Sequence, residues 1–262
     1  MNLILSFFVF VLGLEIGSFL NVVIYRIHKK ESFLKGRSYC PYCRHKLSWY
    51  DLIPLLSFVF LKGKCRYCKK SISIQYPLVE IATGALFLAM FKFSGINEFS
   101  LLSFQSLNFW YLLAIVSISI VIFVYDLKHF LISDSLIYSA TGIVLLYRLI
   151  NFQDFKISFL SAIGAMLFFL FIFLISKGKW LGFGDVKLVF FMGLFLSFPN
   201  ILVALFLSFL IGAIIGVAMI GFKKRTLKSE IPFGPFLITG TYLALFFGEK
   251  IVDWYMNLTF FL

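Results

Sequence analysis

Long apolar runs with almost no charge in them recur along the whole chain. They fall near residues 3–24, 74–94, 108–125, 135–151, 158–175, 187–198, 201–222 and 232–248. An α-helix needs about 20 such residues to cross the hydrocarbon core of a bilayer, and no irregular or open-edged backbone can face lipid there. Hydrophobic residues make up 61% of the 262 and charged residues only 14%, too little polar surface to coat a soluble domain. At roughly 20 residues per crossing, this apolar content supplies about eight helices. A secreted enzyme and a single-anchor receptor are excluded. The runs are continuous, not alternating, so a transmembrane β-barrel fits poorly. The expected fold is an all-α integral membrane protein of about eight transmembrane helices.

The net charge of +12 is unevenly placed. Twelve of the 24 Lys and Arg lie between Arg26 and Lys70, and Lys223, Lys224, Arg225 and Lys228 form a second cluster. Short loops rich in Lys and Arg stay in the cytoplasm. Eight spans threaded from outside place connections 26–72, 126–134, 176–187 and 223–230 inside, and these hold 20 of the 24 basic residues. Both termini are then outside the cytoplasmic membrane. The run at 3–24 lacks a basic start and a small-residue cleavage site, so it reads as a retained helix. Anionic lipid is the partner expected for the basic loops, not nucleic acid. Gly13 with Gly17, and Gly212 with Gly216, stand at the G-x-x-x-G spacing that lets helices approach closely.

All four cysteines fall in the 26–72 connection, as Cys40-Pro-Tyr-Cys43 and Cys65-Arg-Tyr-Cys68, with 21 residues between the pairs. A reducing cytosol disfavours disulfides, whereas two C-x-x-C turns can present four thiolates to Zn²⁺. Four protein ligands leave no open position, so such a zinc is structural. It would fold a loop of small apolar content. The same loop carries an apolar patch of Trp49, Tyr50, Ile53, Leu55, Leu56 and Phe58, suited to a membrane surface or to a substrate leader.

Ionisable residues in or beside spans are costly and mark function. Asp126 closes the third span within Tyr125-Asp126-Leu127-Lys128, and Asp185 opens the sixth within Gly182-Phe183-Gly184-Asp185. Both belong to the cytoplasmic face. Gly182 and Gly184 would permit a turn that β-carbons obstruct, with Asp185 at a helix start where the dipole favours negative charge. Two carboxylates in a low-dielectric site share one proton, and such a pair can activate water and polarise a peptide carbonyl. Asp134 reads as a helix cap, Arg148 as a residue snorkelling to the interface, and Glu80 as a buried carboxyl that supports the site or binds a cationic group; Glu15 has no evident partner.

Together the segment Gly17 to Arg26 (GSFLNVVIYR), the two C-x-x-C pairs, Tyr76-Pro77-Leu78-Val79-Glu80, Asp126 with Ile132-Ser133-Asp134, Gly182-Phe183-Gly184-Asp185 and Pro232-Phe233-Gly234-Pro235 resemble the bacterial type IV prepilin peptidases. The resemblance covers nearly the whole chain. It implies a membrane aspartic endopeptidase that removes the basic leader of prepilins and pseudopilins at the cytoplasmic face, with Asp126 and Asp185 as the catalytic pair. Cys40, Cys43, Cys65 and Cys68 match the zinc-type subset. Many members also methylate the new N-terminus with S-adenosylmethionine, a function placed in the Gly17 to Arg26 segment and its loop. The family reads proline where this chain has Ser133. The implied organisation is a first helix at 1–25, a zinc loop domain at 26–72 and a helical peptidase domain at 73–262.

Two other classes fit parts of the pattern. A cation or proton transporter would use Glu80, Asp126, Asp134 and Asp185, and needs them near the membrane midplane. A docking module would use the loop alone, with the helices as an anchor.

Overall fold

The computed structural model describes residues 3–33, 35–96, 104–150, 155–221 and 231–260. The basic cluster of Lys223, Lys224, Arg225 and Lys228 lies outside the described residues. Among those described, the regular structure is helical: α1 (Leu3–Lys29), α2 (Leu56–Phe60), α3 (Gln75–Phe93), α4 (Phe104–His129), α5 (Asp134–Ile150), α6 (Phe155–Ser176), α7 (Phe183–Leu196), α8 (Asn200–Gly221) and α9 (Gly234–Phe260). A 3-10 turn spans Trp49–Asp51, and β pairing is confined to two isolated bridges. Among the described residues six helices are long and apolar enough to cross a membrane, namely α1, α3, α4, α6, α8 and α9. The other two runs form shorter helices, with 17 residues in α5 and 14 in α7. At 1.5 Å per residue α7 extends only about 21 Å, less than a hydrocarbon core.

The chain divides into two compact units, 1–121 and 122–262, and the division falls inside α4. In the first unit α1 packs along α3 through Gly13 and Gly17. A β-carbon on Gly13 would sit 2.6 Å from Gly84 Cα, and one on Gly17 2.8 Å from Glu80 Cα. Backbones this close gain dispersion contact where lipid offers no hydrophobic drive. Asn21 ties the same two helices together, donating to Tyr76 O (3.2 Å) and accepting from Gln75 Nε2 (3.1 Å).

In the second unit α6 lies against α7, with Gly193 facing Ala162, and α8 lies against α9, with Gly240 facing Ser208 and Ala204. The expected Gly212/Gly216 contact differs. Gly212 faces the Phe233 and Phe236 rings, and nothing lies within 4 Å of a β-carbon on Gly216. Spacing alone therefore identified one close helix pair out of two.

Gly13→Ala forces a methyl into the α3 backbone and should cost about 1–3 kcal/mol. At ~2–4 °C per kcal/mol for a chain of this size, the thermal unfolding midpoint in detergent should fall by roughly 5 °C. Gly216→Ala should leave it unchanged. Equal midpoints for both variants would contradict the packing assignment.

Candidate active site and metal centre

Asp126 and Asp185 lie in the same unit, and both are buried. Asp126 projects from the last turn of α4 across to the start of α9, where Gly234 N–H donates to its Oδ2 at 3.0 Å. Asp185 stands in the first turn of α7 and accepts from Gly182 N–H at 3.0 Å. Each carboxyl is therefore held by a backbone amide at a helix N-terminus, where unpaired N–H groups and the helix dipole favour an anion. The helix starts that hold them, at Gly184 and Gly234, both pack on Ile132.

Ile132 is the spacer between these helix starts. A β-carbon on Gly184 would meet Ile132 Cβ at 3.1 Å, and one on Gly234 would lie 3.3 Å from Ile132 Cδ1 and 2.5 Å from Asp126 Oδ2. The glycines serve close approach. Gly182 has φ −75° and ψ 151°, an extended conformation open to any residue, so the turn does not require it as the sequence suggested.

Helix α5 grips α7 at both ends. At the start, Lys187 donates to Asp134 Oδ1 at 2.7 Å, so Asp134 is a pairing residue in the first turn and not a cap. The cap position falls to Ser133, whose carbonyl accepts from Leu136 and Ile137. At the far end, Arg148 donates through Nε to Leu194 O (3.2 Å) and through Nη2 to Phe195 O (2.8 Å). That corrects the snorkelling expectation. A helix shorter than the hydrocarbon core leaves its last carbonyls in an apolar setting, and the guanidinium satisfies two of them.

In the other unit the four thiols come together, with all Sγ atoms within 4.8 Å of one another. The two C-x-x-C turns are built alike. Arg44 N–H returns to Cys40 O and Cys40 N–H to His45 O; Lys69 N–H returns to Cys65 O and Cys65 N–H to Lys70 O. Arg44 and Lys69 both carry positive φ, 57° and 60°. A Zn–S length of about 2.3 Å places the sulfurs of a tetrahedron ~3.8 Å apart. The Cys40–Cys68 separation is 3.9 Å, so the cluster fits a four-thiolate ion. Burial alone would raise the Cys40 thiol, but amides of Cys43 and Tyr42 directed at its sulfur bring it down to about 7, while Cys68, despite the Lys70 amide, is pushed up to about 11 by burial and its hydrogen-bonded neighbour thiols, as expected where clustered thiols share protons.

The Gly17 to Arg26 segment is occupied structurally. Besides Asn21, the buried Arg26 donates to Ser32 O (2.9 Å), Lys35 O (2.7 Å) and Arg37 O (3.0 Å), shaping the strand of chain that leads to Cys40. Glu80 is buried in α3 and accepts from Leu55 N–H at 2.9 Å; Glu15 is on the exposed side of α1. The sequence reading quoted Ile132 and Gly234 only within motifs of the family resemblance and gave neither a role in holding the carboxyls, and it read Arg148 as an interfacial residue.

Comparison with known proteins bears on the same residues. The sequence model for the bacterial peptidase A24 N-terminal domain matches residues 11–93, and that for the type IV leader peptidase family matches 113–217. A protein of Bacillus subtilis named prepilin leader peptidase/N-methyltransferase is 33% identical over 250 residues, covering 95% of this chain and 97% of its own. This chain belongs to the type IV leader peptidase family. Relatives with the same name from Aeromonas salmonicida (32% over 287 aligned residues, 95% of this chain and 93% of theirs) and Legionella pneumophila (33% over 274, 94% and 92%) agree. No solved structure matches it.

The insert between the two thiol turns is tied to the second by Asp51, which accepts from Arg66 Nε (2.8 Å), Tyr67 hydroxyl (3.0 Å) and Ser48 N–H (3.2 Å). Burial opposes its ionisation, yet these donors hold the carboxyl below the ordinary carboxylate range. The folded loop then binds fewer protons than the unfolded chain near that range. Its support is complete above the ordinary carboxylate value of ~3.9 and is lost as pH falls through the lowered one. Asp51→Asn should speed hydrogen–deuterium exchange across residues 46–56 several-fold at neutral pH, and the gap from the parent should narrow in acid. Identical exchange at neutral pH would contradict the tie.

Proposed function

We propose that this chain is a membrane-embedded aspartic endopeptidase that removes the basic leader from type IV prepilins or pseudopilins, and that it methylates the new N-terminus with S-adenosylmethionine as substrate. The observation that carries the cleavage reading is the arrangement of Asp126 and Asp185, each against a helix start in one unit. The names borne by relatives along nearly the whole chain support both activities.

With one proton shared by the pair, the ionised carboxylate takes a proton from water as its oxygen attacks the scissile carbonyl carbon, and the protonated partner gives its proton to the carbonyl oxygen. Collapse of the tetrahedral adduct breaks the C–N bond as the first carboxyl passes its proton to the leaving amine and the second carboxylate takes back a hydroxyl proton, which restores the pair. The Gly234 and Gly182 amides keep each carboxyl aimed while its charge changes. Cleavage belongs at the cytoplasmic face, since a prepilin presents a basic leader there and an apolar helix in the bilayer. We place eight spans in the membrane by counting α5 and α7 with the six longer helices, with both termini outside, in keeping with Arg26, His28 and Lys29 closing α1 and Lys128 and His129 closing α4. In this reading residues 26–72 are a cytoplasmic domain folded by a structural zinc on Cys40, Cys43, Cys65 and Cys68. A transporter has no observation in its favour: Asp126, Asp134 and Asp185 stand at helix ends.

General acid–base groups contribute about 10²–10⁴-fold, so Asp126→Asn and Asp185→Asn should each slow leader removal from a prepilin in vesicles by at least ~100-fold while the protein stays folded. Gly234→Ala, which displaces the Asp126 carboxyl, should fall between parent and Asp126→Asn. Full activity in either Asn variant would refute the mechanism. Cys40→Ser should abolish tight zinc binding in elemental analysis; unchanged zinc would refute the four-ligand site. Mass spectrometry of the processed pilin reports the methyl group separately.

A further inference from the structure

Between the two thiol turns, Pro54, Leu55 and Leu56 form a γ-turn. Leu56 N–H donates to Pro54 O at 2.6 Å, and Leu55 has φ 60° and ψ −49°. This conformation is rare and strained for any residue with a β-carbon, and persists where surroundings impose it. Here the imposed contact is Glu80, whose Oε2 accepts Leu55 N–H at 2.9 Å. A buried carboxyl inside a candidate span needs donors, so the strained turn and the acid satisfy each other.

The contact fixes a depth. Glu80 is five residues into α3, about 8 Å along its axis, and helical side chains lean back toward the helix start. Leu55 is therefore held beside the first turns of a membrane-crossing helix. Helix α2 follows at once, and its Leu56, Val59 and Phe60, at i, i+3 and i+4 spacing, are 54%, 67% and 79% exposed. Trp49, on the preceding turn, has a ring that is 77% exposed, and the exposed Lys46, Lys62 and Lys64 flank this segment in the sequence. Ile74 and Leu78 at the start of α3 are also exposed. An apolar strip with an aromatic ring, flanked by lysines at the edge of a span, has the composition of a segment lying in the headgroup–acyl boundary.

We propose that α2 and Trp49 form an interfacial wedge, seated in the bilayer that α1 and α3 enter, with Glu80 as the anchor that holds it at that depth. Anionic headgroups match the flanking lysines, whereas a basic leader would be repelled by them. The wedge sets the height of the four-thiol loop above the membrane, and it requires only that α1 and α3 span, not that the chain cleaves prepilins.

The test reads Trp49 fluorescence, as the difference between the parent protein and Trp49→Phe, in vesicles of phosphatidylethanolamine and phosphatidylglycerol. Lipid brominated in the acyl chain should roughly halve that emission, while aqueous acrylamide quenches it weakly. Glu80→Ala should weaken the lipid quenching with zinc retained, and Glu80→Gln, which keeps an acceptor for Leu55 N–H, should preserve it. Should Trp49→Phe not fold, Val59→Asp with Phe60→Asp in the parent should lower total lipid quenching instead. Trp49 freely quenched by acrylamide and untouched by brominated lipid would overturn the wedge. Shielding that arises only when a synthetic basic leader peptide is added would also overturn it, and would assign the strip to substrate.

Discussion

A carboxylate at the edge of hydrocarbon must be given hydrogen-bond donors, and in this chain the donors for Asp126 and Asp185 are backbone amides at helix starts. The rest of the second unit follows from that requirement. Helix α9 begins at Gly234 because only a residue without a β-carbon lets its amide reach Asp126 past Ile132. Helix α7, which brings its first turn to the same region, has only 14 residues, and the carbonyls at its far end are met by Arg148. The clamp of α5 on both ends of α7, through Asp134–Lys187 and Arg148, keeps Asp185 in register with α4.

The first unit repeats the principle with other partners. Three buried polar side chains organise it, as Asn21 joins α1 to α3, Arg26 gathers three loop carbonyls, and Glu80 holds the Leu55 turn. The four thiols are gathered by two turns of matching hydrogen-bond pattern, a geometry that follows from the repeated C-x-x-C with a basic residue at positive φ directly after it.

Much of this was legible in the sequence where the signal is local. Apolar runs located the long helices, Gly13 and Gly17 marked the α1–α3 contact, and the cysteine spacing marked the four-thiol cluster. What escaped reading depends on residues far apart in the chain. Gly234 and Asp126 are 108 positions apart, Arg148 and Leu194 46, and Lys187 and Asp134 53, so no periodicity or spacing connects them. Gly216 failed for the complementary reason: a local motif says that close packing is allowed there, not that a partner arrives. Family resemblance pointed to Asp126 and Asp185 but carried no information on what holds them.

The cleavage proposed for this chain requires Asp126 and Asp185 to face one another across a substrate. The direct measurement is cross-linking of an Asp126→Cys/Asp185→Cys protein in lipid nanodiscs with a short bis-maleimide, with zinc added to shield the four native thiols, read as joined peptides by mass spectrometry. The peptides containing positions 126 and 185 should be recovered linked within one chain. Efficient labelling of each introduced cysteine singly, with no link between them, would contradict the account.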